Sequence, residues 1–365
     1  MKDRLVYFPL KLYVRAFLHS YFKNYQIQGI EKIPSGPVIF VSNHQNAFMD
    51  ALVITCASRR NPYFLSRASI FKKKWASAVL RMIRLIPIYR IRDGFSSVKK
   101  NEEVFDKCIS LLSYGKCILV FPEGNHHDRF YLRPFQKGAA RIAFESEAKY
   151  RFNLGLKLVP VGIQYEDYDK IGSSVLVSFG DPLFMKDYEN QYKEDSNNAL
   201  LNLTSDLKDA ISNLIVDISP VEKYEEIYRY WQSRRVKKLD LKLRLEKDQL
   251  LISEYEKHGN QQEPAQKKEG NNRILNLVHL TMKMISSVNL IIPLLLIRYV
   301  IRNKLKEPMF EGSMRFALWA FPGMLILSLQ FGWIYLLTTN LLISFGYLLS
   351  SAFVAIISVK TRPEN

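Results

Sequence analysis

His44 and Asp50 are the pair of residues in this chain best suited to moving a proton. A neutral imidazole takes a proton from a hydroxyl near pH 7, and a carboxylate on its other nitrogen fixes the tautomer and stabilises the imidazolium that forms. Their spacing sets a condition. Six residues of regular helix turn through about 600°, so the two side chains would not share a helical face. They meet only if His44 lies in a turn before a helix and Asp50 reaches back. The competing reading is a polar cap, with His44 a surface residue and Asn43 the N-cap. A second cluster follows at Glu123-Gly124-Asn125-His126-His127-Asp128-Arg129, with Lys137 a little beyond. Gly124 lets backbone amides approach a ligand closely. Neither histidine there has a second histidine at i,i+4 or a partner cluster, so no metal site is expected. Arg90, with Arg92 just after it, ends a short apolar run; an arginine there suits bidentate phosphate binding or is a solvated charge.

The elements around these residues read as strand then helix, repeatedly. Pro37–Val41, Pro62–Leu65, Ile86–Arg90, Cys117–Phe121, Lys157–Tyr165 and Ser174–Phe179 are apolar, strand-like runs. Helical patterns separate most of them: one after Asp50, then Ala68–Leu85 carrying Lys72, Lys73 and Lys74, Ser97–Tyr114 closed by Gly115, a helix through Arg141 and Phe144, and Leu200–Ile218. That alternation predicts an α/β fold, a mostly parallel sheet flanked by helices. His44 and Glu123 then fall at strand ends, where such sheets do chemistry.

The 365 residues carry a formal charge of +17 and 13% aromatics, which implies an anionic partner: nucleic acid, a lipid surface or a phosphorylated substrate. Cys56, Cys108 and Cys117 sit in apolar contexts without C-x-x-C spacing, which fits a reducing compartment. Residues 1–24 form a basic, aromatic amphipathic segment, kinked or split by Pro9, that lies in a membrane interface or packs as a helix. Lys11 and Arg15 argue against a cleavable signal peptide. The sheet domain is expected over 25–220. Residues 221–273 read as a long, exposed, charged helix followed by a polar, mobile linker from His258 to Arg273.

Residues 274–365 read as a membrane region. Phe316 to Val359 is 44 residues without Asp, Glu, Lys, Arg or His, against roughly 20 needed per spanning helix. Thr338-Thr339-Asn340 breaks it, so a transmembrane helical hairpin at about 316–337 and 341–359 is expected. Arg298, Arg302, Lys304, Lys306 and Arg315 precede the hairpin and Lys360 and Arg362 follow it, which places both ends, and the sheet domain, on the cytoplasmic side. Met284–Ile297 is short for a span and reads as interfacial or re-entrant. The lysine-rich helix can face the bilayer, a carrier or plain solvent.

Four blocks in order over residues 25–185 resemble the glycerophospholipid acyltransferase family, which includes lysophosphatidic acid and glycerol-3-phosphate acyltransferases: Asn43-His44 to Asp50, Pro87-Ile88-Tyr89-Arg90, Phe121-Pro122-Glu123-Gly124 and Val159-Pro160-Val161. The resemblance implies the acyltransferase fold and an acyl thioester donor, acyl-CoA or acyl-ACP, with no further cofactor. His44 oriented by Asp50 would deprotonate a hydroxyl of a glycerol phosphate acceptor, most simply 1-acyl-sn-glycerol-3-phosphate. Arg90 would hold the phosphate, Glu123 and Gly124 would shape the acceptor pocket, and Arg129 and Lys137 are further phosphate contacts. Backbone amides near the third block would hold the oxyanion. Two departures bear on the acceptor. Five residues rather than four separate His44 from Asp50, and Asn125-His126-His127-Asp128-Arg129 replaces the usual Thr or Ser followed by Arg. Both are similar to a branch of glycerol-3-phosphate and dihydroxyacetone-phosphate acyltransferases. The competing class is a non-catalytic membrane lipid-binding protein; nothing resembles a nucleic-acid module, so no nucleic-acid partner is expected.

Overall fold

A computed structural model describes residues 2–89, 95–259, 273–305, 307 and 310–363. Eight strands form one sheet: β1 Asn24–Gln28, β2 Val38–Ser42, β3 Tyr63–Arg67, β4 Leu85–Ile88, β5 Cys117–Val120, β6 Lys157–Tyr165, β7 Ser174–Phe179 and β8 Leu183–Phe184. Their order is β1-β7-β6-β2-β5-β3-β4, with β8 added on β6. Pairings are parallel except β6 with β7 and β6 with β8, as the alternation of strands and helices predicts. All residues of β2, β5 and β7 are buried, because helices cover both faces of the sheet.

The two-residue period of a strand divides the core. Val38, Phe40 and Leu119 face helices α1 Lys2–Tyr21 and α2 Ala47–Ala57, while Ile39, Val41, Ile118 and Val120 face α4 Phe95–Ser113, α5 Gly138–Lys149 and α7 Ser196–Ser212. Between these lie α3 Lys74–Met82 and α6 Glu189–Glu194. Helix α1 continues through Pro9 as a single helix and buries Tyr7, Val14, Leu18 and Tyr21, one stripe at helical spacing.

The expected long charged helix is instead two, α8 Tyr224–Arg234 and α9 Leu241–His258, packed on the sheet. Tyr224, Ile227, Tyr230 and Trp231 bury one face of α8 against Leu245, Ile252 and Tyr255 of α9 and against Leu176 of β7. Several charges of this stretch are internal. Arg235 makes a bidentate pair with Glu166 (2.9 and 3.0 Å) and reaches Asp248 (2.7 Å), while Arg244 adds a bond to Glu166 at 3.2 Å. Buried ions persist only when paired this way, so charge density alone did not mean a solvated face. Asp240 caps α9 by accepting from the Lys242 amide. Of the expected linker, 260–272 lie outside the described residues.

The C-terminal region holds α10 Arg273–Asn289, α11 Ile291–Lys304, α12 Glu311–Leu318, α13 Met324–Thr338 and α14 Leu341–Lys360. A π-helical turn, Trp319–Gly323, joins α12 to α13, so Glu311–Thr338 is one 28-residue helix. That helix and α14 are each long and apolar enough to cross a membrane. Asn340 caps α14 at the expected turn, accepting from the amides of Leu342 and Ile343. Helices α10 and α11 meet at 85° where the short apolar run was noted. Asn289 at that bend donates to Ser351 (2.7 Å), accepts from Tyr347, and receives Gln330 on its carbonyl, tying the bend to both long helices.

Candidate active site

Parallel strands bring their carboxyl ends to one edge, and the segments leaving β2, β3 and β5 meet there. Asn43 does not cap a helix. Its amide clamps the end of β2 to β6, donating to the Ile163 carbonyl and accepting from the Ile163 amide. The chain then turns through His44-Gln45-Asn46, with Ala47 at φ 43°, before α2 runs on. This turn meets the condition set by the spacing: His44 precedes the helix and Asp50, in its first turn, reaches back.

His44 Nδ1 lies 2.8 Å from Asp50 Oδ2. The same oxygen accepts from the amides of Gln45 (2.9 Å) and Asn46 (2.8 Å), and Oδ1 accepts from the Tyr165 hydroxyl at 2.8 Å. Asp50 is fully buried, so a carboxylate stays there only because four donors surround it. Burial, then the Asp50 charge, holds the Tyr165 phenol well above its usual range, so it remains a donor. A carboxylate only accepts, so His44 carries its proton on Nδ1 and leaves Nε2 as the basic nitrogen.

The ring is held from both sides. Phe121 stacks on it at 4.2 Å and 13° between planes, and His126 meets it edge-on at 5.3 Å. Glu123 serves the framework: its Oε1 accepts from the His44 amide (2.8 Å), and Oε2 accepts from His127 Nε2 (3.1 Å) and the Arg133 amide (3.2 Å). The His127 amide in turn donates to the His44 carbonyl at 3.3 Å. Glu123 thus fastens the third block to the first, and its side chain is almost fully buried. Gly124 sits at φ 66°, a conformation that glycine adopts at little cost.

Arg90 and Arg92 lie outside the described residues. Arg90 follows Ile88, which is in register with Arg67 on β3, and Asn101 clasps both the amide and the carbonyl of Tyr89. Arg129 turns toward α8, 3.4 Å from Glu225 and over the Tyr224 ring at 5.0 Å. Lys137 is exposed at the start of α5. Among the described residues neither of these two side chains joins the dyad, and Arg129 already has an anionic neighbour in Glu225. Among the described residues no three His, Cys, Asp or Glu side chains converge as a metal site needs.

Several residues here escaped the reading of the sequence. Arg67, at the end of β3, donates to Asn125 Oδ1 at 2.5 Å and so sits beside the third block. His126 is buried, its Nε2 has no hydrogen-bond partner among the described residues, and burial followed by the His44 neighbour lowers its pKa to about 4. Phe310 covers it edge-on at 4.7 Å. Ser313 of α12 donates to the Asn46 carbonyl (2.6 Å) and accepts from the Met49 amide (3.2 Å). A Cβ on Gly312 would overlap the Tyr168 carbonyl oxygen and crowd the Asn46 side chain, so glycine permits this close approach. The leading turn of the first long apolar helix therefore packs on the turn that carries His44.

Residues 24–164 match the Acyltransferase family model. This segment is similar to acyltransferase domains. The chain is 31% identical over 158 residues to the chloroplastic 1-acyl-sn-glycerol-3-phosphate acyltransferase BAT2 of Brassica napus, covering 42% of this chain and 41% of that protein. It is 28% identical over 165 residues to glycerol-3-phosphate O-acyltransferase 1 of Saccharomyces cerevisiae, covering 43% and 21% respectively. The chain thus spans less than half the length of either relative. The crystal structure of the 1-acyl-sn-glycerophosphate acyltransferase PlsC from Thermotoga maritima aligns with a TM-score of 0.40 at 19% identity, over 56% of this chain and 81% of that one.

Proposed function

We propose that this protein moves a fatty acyl group from an acyl thioester, on coenzyme A or acyl carrier protein, to a hydroxyl of a glycerol phosphate lipid precursor. The observation that carries this reading is the buried Asp50 carboxylate on His44 Nδ1, which leaves Nε2 basic at the mouth of an acyltransferase domain. Nε2 takes the proton of the acceptor hydroxyl as that oxygen attacks the thioester carbonyl carbon. Asp50 stabilises the imidazolium. The tetrahedral intermediate then collapses, the carbon–sulfur bond breaks, and the thiolate leaves with the proton held by His44. The products are an ester and a free thiol, and no acyl-enzyme is needed.

Arg67, which ends β3, and Arg90, two residues after β4 in the sequence, are the proposed grips on the acceptor phosphate; a guanidinium fork suits that ligand. The favoured acceptor is 1-acyl-sn-glycerol-3-phosphate, giving phosphatidic acid. A glycerol-3-phosphate or dihydroxyacetone phosphate acceptor is the second reading, favoured by the extra residue in the first block and the similarity to the yeast glycerol-3-phosphate enzyme. In both, helices Glu311–Thr338 and Leu341–Lys360 cross the membrane and the basic residues at their ends keep the domain on the cytoplasmic face. Purified protein with one acyl-CoA and a panel of acceptors tests this. Thiol release with 1-acyl-sn-glycerol-3-phosphate well above that with glycerol-3-phosphate supports the first reading, the reverse order supports the second, and release with neither removes both.

A further inference from the structure

Helix α3 presents an apolar face left open among the described residues: Trp75, Val79 and Met82, spaced i, i+4, i+7, are 70%, 45% and 37% exposed. Lys72, Lys73 and Lys74 crowd its N-terminal end and all are exposed. An amphipathic helix with Trp on one side and lysines beside it suits the boundary between head groups and acyl chains. The position of α3 points the same way. Tyr21 and Phe17 of α1 pack on Phe316 at 5.3 Å, while Tyr13 packs on Phe321 and donates to the Ala320 carbonyl. Going toward its N-terminus, α1 therefore runs in the direction that the first long apolar helix takes as it leaves the domain. Tyr7 lies about 20 Å along α1 from Tyr21, and there the Arg84 guanidinium stands 4.5 Å over its ring. Arg84 follows α3 directly, so α3 sits on the side from which the apolar helices depart. Phe8 and Leu12 of α1, one turn apart, are likewise exposed apolar side chains.

We propose that α3, with the N-terminal half of α1, is a membrane-docking face whose partner is an anionic bilayer surface: Trp75, Val79 and Met82 enter the acyl boundary and Lys72–Lys74 take the lipid head groups. This rests on reading α12–α14 as a membrane hairpin. Because the lysine-bearing start of α3 follows the Arg67 end of β3 through Ala68–Phe71, docking of that end holds Arg67 close to lipid-borne substrate. An acyl carrier protein is the rival occupant; the i, i+4, i+7 apolar face favours lipid.

The three native cysteines suit a labelling test. All are buried, and burial pushes Cys56 up to about 11 and Cys108 up to about 12, with Cys117 moved in the same direction, so a thiol placed on the surface reacts selectively. Full-length Trp75→Cys, Val79→Cys, Leu201→Cys and Leu336→Cys would each carry an environment-sensitive fluorophore in nanodiscs containing doxyl-labelled lipid. Quenching at 75 and 79 at least threefold stronger than at 201, rising when about a third of the lipid is phosphatidylglycerol and losing that rise in the triple Lys72→Gln, Lys73→Gln, Lys74→Gln variant, is the expected result. Quenching at 336 but not at 75 or 79 overturns the docking face and leaves the hairpin standing. No quenching at 336 overturns the hairpin and this inference with it. Probes at 75 and 79 shielded by acyl carrier protein and untouched by doxyl lipid would assign the face to the donor and overturn the proposal.

Discussion

Replacing Asp50 by Asn separates charge from shape at the dyad. The amide oxygen can still face His44 Nδ1 and the Gln45 and Asn46 amides, provided the Tyr165 hydroxyl turns to accept from the new NH₂. The turn is then kept and the negative charge is lost. An imidazolium and a carboxylate about 4 Å apart between charge centres attract by about 4 kcal/mol at an effective dielectric constant near 20. Lost from the step that forms the imidazolium, this slows turnover by about 10³-fold. Tyr165→Phe is the companion variant. It removes one donor from Oδ1, leaves three on Oδ2, and should cost about 1–2 kcal/mol of stability with less than a tenfold loss of kcat. The assay is thiol release from acyl-CoA under saturating acceptor, with cooperative thermal unfolding to show that each variant folds. A folded Asp50→Asn protein keeping more than a tenth of the parent kcat would refute the role given to the carboxylate. So would a Tyr165→Phe protein as impaired as Asp50→Asn, since the damage would then follow packing and not charge.

Other changes test the surroundings of the dyad. His44→Ala should lower kcat by at least 10²–10⁴ while membrane association persists, read by thiol release and flotation. The His126 pKa, lowered from 6.5 to about 4, means the unfolded chain takes up that proton first as pH falls. Stability should therefore decline between about pH 6.5 and 4, by at most about 3 kcal/mol, and His126→Asn should flatten that limb in a pH series of unfolding midpoints. Gly312→Ala places a methyl against the Tyr168 carbonyl and should cost about 1–3 kcal/mol and lower kcat, because the displaced α12 also holds the Asn46 turn through Ser313. Asn289→Leu removes the bonds that join the α10–α11 bend to α13 and α14, and should loosen the hairpin by about 0.6–2 kcal/mol in a detergent unfolding titration.

The strands were legible because each central one is an apolar run bounded by polar turns, and burial on both faces leaves no alternation to confuse the pattern. The apolar hairpin was legible for the same reason, length without charge. The dyad needed only that one turn precede a helix, and His44-Gln45-Asn46 is that turn. What misled was charge. Residues 221–257 read as an exposed helix because Arg235, Arg244 and Asp248 look like solvent residues, yet Arg235 and Arg244 pair with Glu166, 69 and 78 positions away in the chain, and Asp248 pairs with Arg235. No local periodicity reports a partner at that distance. Asp240, ahead of the Leu241 run, was a usable helix-start signal for α9. Arg67 was missed because the strand was read as ending at Leu65, whereas β3 runs on to Arg67.

The contacts furthest from view in the sequence bear most on how the parts depend on one another. Asn46 lies in the turn that carries His44, and its carbonyl is bonded to Ser313, 267 positions later, in the first turns of the helix that becomes the long apolar span. The match to acyltransferases ends at residue 164, so this support comes from outside the shared domain. Buried donors and acceptors are costly to leave unpaired, and withdrawing α12 would uncover the Asn46 turn and the His126 ring together. The domain and the apolar helices should accordingly fail together. Cleaving the chain within 260–272 while both pieces stay associated should leave activity intact, whereas removing everything after residue 273 should abolish it and expose Met49 and Asn46 amides to rapid hydrogen exchange. A residues 1–259 fragment that folds and turns over at the parent rate would show the helix to be an anchor only.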